Sequence, residues 1–91
     1  MRLPAEVRHR LNLHARRGSK AARKRQVKRA EAFATWCGCD PRQIGKAHVY
    51  RYFRAHDLAP TTARDHWYAV RLLWQATGRP GDPPKPPEVP R

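Results

Sequence analysis

Apolar residues recur along the chain at helical spacing. Val27, Ala30, Phe33, Ala34 and Cys37 fall within about a third of a helical wheel, so the stretch from about Lys20 to Trp36 is predicted as a helix with one buried stripe. Leu3, Val7, Leu11 and His14 repeat at three- to four-residue intervals and predict a shorter helix over 4–16. Val49, Tyr52 and Phe53 mark a helix over about 46–56, and Ala63, Trp67, Val70, Leu73 and Trp74 mark one over about 61–77. No apolar–polar alternation predicts a strand. The expected fold is all-α, a bundle of about four helices.

Punctuation between these segments is consistent with that division. Gly18 is a breaker and Ser19 an N-cap for the second helix; Gly38 suits its C′ position. Asp40-Pro41 reads as an N-cap followed by a first-turn proline, opening a single turn that Gly45 stops. Asp57 to Pro60 is a connector, and Thr62 with Asp65 is a candidate capping box. Six of the last thirteen residues are proline. That composition forms neither a helix nor an interior strand, and it predicts an extended, disordered tail. The expected organisation is an N-terminal arm over 1–18, a helical domain over 19–78 and a Pro-rich tail over 79–91.

At 91 residues the core must be small and built from large side chains, for which Trp36, Trp67, Trp74, Phe33, Phe53, Tyr50, Tyr52 and Tyr68 are the candidates. Charge changes the picture more. Lys and Arg number 20 against 7 Asp and Glu, a net +13. Between Arg16 and Arg29, eight of fourteen residues are basic and none is acidic. The same stretch carries the apolar stripe, so it is a packed helix with a cationic outer surface. Unneutralised cations on one helix repel each other and favour a polyanionic partner, with counterions released at each phosphate. Arginines outnumber lysines 15 to 5, and the planar guanidinium fork matches phosphates and guanine edges. Double-stranded DNA is the expected partner. No stretch has the length and hydropathy of a membrane span or signal peptide, so the expected setting is cytoplasmic and nucleoid-associated.

The order of these features resembles the N-terminal core-binding (SAM-like) domain of tyrosine recombinases, the phage-integrase family. The resemblance covers roughly Ser19 to Pro87. Ala32-Phe33-Ala34-Thr35-Trp36 matches the aromatic end of that family's first helix. Ile44 to Phe53 follows its Ile-Thr-x-x-x-Val-x-x-Tyr segment, with Gly45 in place of the threonine. Leu58-Ala59-Pro60-Thr61-Thr62-Ala63-Arg64 leads into Tyr68 to Leu73 as the family's last helix does, and a proline-containing linker follows. The resemblance implies a non-catalytic domain that clamps recombination-site DNA in a mobile element, opposite a separate catalytic domain. Thirteen residues after Gly78 are far too few for that second domain, so no enzymatic activity is expected of this chain. Two helices are implied to approach the major groove, here the basic helix and the one over 61–77.

On this basis Arg16, Arg17, Lys20, Arg23, Lys24, Arg25 and Lys28 are expected at DNA, mainly on phosphates. Arg64, Tyr68 and Arg71 share one helix face and are the candidates for base edges. A stand-alone plasmid or prophage regulator is the alternative reading, and an RNA-binding protein a third. Cys37-x-Cys39 with His48 or His56 does not match zinc spacing; Cys37 is expected in the core and Cys39 in a turn. No cofactor, metal or small-molecule substrate is expected.

Overall fold

Val7 and Leu11 lie one turn apart and are both buried, which ties the first helix to the rest of the chain. The computed structural model describes residues 3–16 and 20–90. Helix α1 spans Ala5–Ala15, α2 Lys20–Cys37, α3 Lys46–His56 and α4 Pro60–Ala76, with a 3-10 turn at Pro41–Gln43 before α3. No strand occurs among the described residues. The predicted all-α class and the four helices are observed to within a residue or two. Helix α2 packs along α4; α1 closes over both, and α3 packs on α2.

The core is the expected one in its centre. Val27, Ala30, Phe33 and Ala34 of α2 meet Ala63, Trp67, Val70 and Leu73 of α4, with Val49, Tyr52 and Phe53 of α3. Tyr52 fills the space between rings. Its centroid is 4.9 Å from Phe33 and 5.4 Å from Phe53, both edge-on. Three of the large residues assigned to the core are instead exposed: Trp36 at 43%, Tyr50 at 41% and Tyr68 at 40%. A helix of eleven residues with one buried stripe has no partner element for its other faces, so Tyr50 of α3 stays in solvent.

Helix ends are set by local chemistry. Gly38 adopts φ +70° and donates its N–H to the Ala34 and Thr35 carbonyls, closing α2 as expected. Asp40 Oδ1 accepts from the Arg42 backbone N–H at 2.9 Å, the predicted cap of the 3-10 turn. His48 Nδ1 accepts the Gly45 N–H at 3.0 Å, the return half of a capping box whose other half a glycine cannot supply. Asp57 caps α3 in the left-handed region at φ 44°. The Thr62–Asp65 capping box does not form. Pro60 occupies the first turn and Ala59 becomes the N-cap, which leaves Thr62 inside the helix. Gly18 and Ser19 lie outside the described residues.

The larger correction concerns residues 79–90, which fold back over α4 instead of trailing as a disordered tail. Pro83, Pro86 and Val89 are buried. Trp67 Nε1 donates to the Pro84 carbonyl at 3.0 Å, and Lys85 Nζ sits 4.8 Å from the Trp67 ring centroid. Arg79 stacks 4.4 Å above Trp74 and donates to the carbonyls of Pro41, Arg42 and Ile44, joining the end of α4 to the 3-10 turn. A Cα radius of gyration of 12.3 Å equals the roughly 12 Å of a fully folded chain of this length. Proline excluded helix and strand here but not packing, because its ring is apolar and its carbonyl accepts hydrogen bonds.

Candidate nucleic-acid interface

The basic helix splits its cations between two flanks. Arg25 and Arg29 are one turn apart on the flank facing α4, with Arg23 at the head of the helix and Gln26 between them. Together with His14 and Ala22 they line an open trough of about 550 Å³ whose far wall is Asp65 and Tyr68 of α4. His14, Gln26 and Tyr68 also line a smaller continuation of about 180 Å³ that runs on to Arg71, Leu72 and Gln75. These shared residues join the two into one trough along α2 and α4.

The trough has a hydrogen-bonded floor. His14 and Gln26 Oε1 are 2.7 Å apart through the histidine Nε2, and Arg23 Nη1 is 3.4 Å from Nδ1. With the amide oxygen as acceptor, Nε2 carries the proton and Nδ1 accepts from Arg23. That chain links the end of α1 to α2 and orients the Arg23 guanidinium. Arg29 lies where the trough approaches a second polar pair. Tyr52 Oη and His66 Nδ1 are 2.8 Å apart. Burial, then the Arg29 cation and His56, hold His66 below its ordinary value of 6.5, with Asp65 opposing. Burial and then Cys37 push Tyr52 up.

The opposite flank is a separate groove of about 450 Å³, lined by Arg16, Lys24, Lys28 and Glu31 beside Asn12, Ala15 and Val27. Of the ten residues expected at DNA, then, Arg23, Arg25, Tyr68 and Arg71 share the trough, and Arg16, Lys24 and Lys28 share the other groove. Arg64 is exposed one turn before Tyr68 but lines neither. Arg17 and the Lys20 side chain lie outside the described residues. Arg71, assigned to a base edge, is engaged on one side of its guanidinium: its Nε donates to Asp82 Oδ1 of the folded-back segment at 2.9 Å.

In the sequence, Arg29 counted toward the basic run without a role at DNA, His14 fell in the repeat of the first helix and Asp65 in a capping box, and Gln26 had no role. The i, i+4 spacing of Arg25 and Arg29 was a usable signal. The meeting of His14 with Gln26 needed the α1–α2 turn and was not. Cys39 Sγ lies 4.0 Å from His48 Nε2, and no three His, Cys, Asp or Glu side chains converge as a metal site among the described residues. No described helix is long and apolar enough to cross a membrane. Compared with protein-family models, with curated proteins and with solved structures, the chain has no match.

Proposed function

We propose that this domain is a non-catalytic binder of duplex DNA and that the trough between α2 and α4 faces the DNA. One observation carries the reading: three arginines of α2 stand across an open trough from an exposed tyrosine of α4. Guanidinium forks bind phosphate oxygens bidentately and hold a backbone in register. A net charge of +13 supplies the long-range attraction that brings a polyanion to the surface. The α1–α2 groove is also cationic, but it has no aromatic residue, and two of its three cations are lysines. Following the resemblance to recombinase core-binding domains, the biological ligand in this reading is recombination-site DNA, gripped here while catalysis resides in a separate domain.

The test is a salt-titrated binding assay with duplex DNA, single-stranded DNA and duplex RNA of equal length. Duplex DNA should bind best, with log K falling linearly in log salt. Equal binding of A-form RNA refutes the preference for DNA, and no binding to any of the three at low salt refutes the reading altogether.

A further inference from the structure

We propose, building on the DNA reading, that the trough holds one unstacked nucleotide of the bound strand, its base against Tyr68 and Asp65 and its phosphate among Arg23, Arg25 and Arg29. A surface that met only backbone phosphates would gain from cations alone. This trough places a carboxylate, Asp65, on the wall opposite three arginines. Asp65 repels phosphates and accepts hydrogen bonds, so that wall suits a ligand that brings an N–H donor to it. Base edges bring such donors, and the cytosine amino group is the one a carboxylate accepts best.

Tyr68 supplies the second part. Its neighbours Trp67 and Ala69 are buried, whereas Tyr68 keeps 40% of its surface exposed and lines both segments of the trough. Trp67 meets it edge-on at 5.5 Å and 67°, which restricts the phenol ring before any ligand arrives. A preset aromatic ring stacks a base at little entropic cost. A base inside a duplex cannot present its face to that ring, so the occupant is a nucleotide out of the stack. The volume of about 550 Å³ lies within the range of small-ligand sites, and the trough is open, so a strand can enter and leave it.

The experiment uses the full chain and duplexes of equal length: fully paired, or interrupted by one unpaired cytosine, one unpaired thymine or one abasic spacer. The unpaired cytosine should bind roughly tenfold tighter than the paired duplex, and the abasic spacer should show no gain. Tyr68→Leu should erase the gain, so that this variant binds the unpaired-cytosine duplex no tighter than it binds the paired one, and Tyr68→Phe should keep it. Asp65→Asn should abolish the preference for cytosine over thymine. Equal gains for cytosine and the abasic spacer overturn the proposal, since flexibility then explains both. Paired-duplex binding with no gain for any interruption overturns this inference alone. Failure of the paired duplex to bind, with an unpaired cytosine still held through Tyr68, overturns the duplex reading and leaves the nucleotide site standing.

Discussion

The two flanks of α2 make opposite predictions about salt. Arg25→Gln with Arg29→Gln removes two of the three trough arginines and leaves Arg23 on its bond to His14. Glutamine is a comparable helix former, and neither arginine belongs to the buried core, so the fold should persist. Each lost phosphate contact lowers the slope of log K against log salt by about 0.9, so the pair should lower it by about 1.8. With the salt-independent part of binding unchanged, affinity at about 0.1 M salt should fall on the order of 60-fold. Lys24→Gln with Lys28→Gln removes the same formal charge from the α1–α2 groove, where Glu31 already offsets part of it. That variant should change the slope by less than about 0.9. Anisotropy titrations at four or more salt concentrations, with circular dichroism to verify the helix content, would measure both. Equal slope changes for the two pairs would show that the outer face of α2 holds the DNA, and the trough reading would fail.

Trp67→Phe keeps most of the ring but removes the N–H that meets Pro84, so it should cost about 1 kcal/mol. The melting midpoint should fall by about 4–8 °C, and no change would mean that the Trp67–Pro84 bond adds nothing to stability. Asp82→Asn releases Arg71 and should raise affinity for duplex DNA by less than about fivefold; a loss of affinity would mean that Asp82 instead positions Arg71 for its contact. His66 has a folded value below its ordinary 6.5, so unfolding takes up a proton. Its contribution to stability is full above about pH 6.5 and is lost as the pH falls through the lower folded value. The melting midpoint of His66→Gln should therefore drop less than that of the parent between about pH 7.5 and about pH 5.5, and parallel drops would refute the assignment. Burial, then Cys39, pushes the Cys37 thiol up to about 11, so a thiol reagent near pH 8 should label it slowly in the folded protein and quickly in denaturant.

The legible part of this fold is the part governed by short-range periodicity. Val27, Ala30, Phe33 and Ala34 announce both a helix and the face it buries, and Gly38 announces where it stops. Trp36 and Tyr50 misled because size was read as burial, and burial depends on whether a second element arrives to cover the residue. The segment after Gly78 was misread for a related reason. Its prolines state what the backbone cannot do, whereas the indole of Trp67, seventeen residues before Pro84, decides where the segment goes. The candidate site divides the same way. The charge of α2 is plain in the sequence, but its division into an arginine flank and a lysine-rich flank depends on which neighbour each flank meets.

Consecutive residues of α4 serve different neighbours because each step turns the helix by about 100°. Trp67 holds the folded-back segment and Tyr68 enters the trough, while Arg71 is common to both through Asp82. In the proposed DNA complex, a phosphate that takes Arg71 through its Nε would displace Asp82, and DNA binding and docking of the segment would then oppose each other by the same free energy in both directions. The magnitude decides what that opposition can do. Both partners of the ion pair are partly exposed, at 41% and 51%, and such pairs are worth about 1 kcal/mol at most. The buried Pro83, Pro86 and Val89 and the Trp67–Pro84 bond are not touched by the exchange. On the proposed reading the segment would therefore stay docked when DNA binds. Asp82 would then moderate affinity by a few-fold at most, which would make the segment a fixed part of the interface rather than a switch.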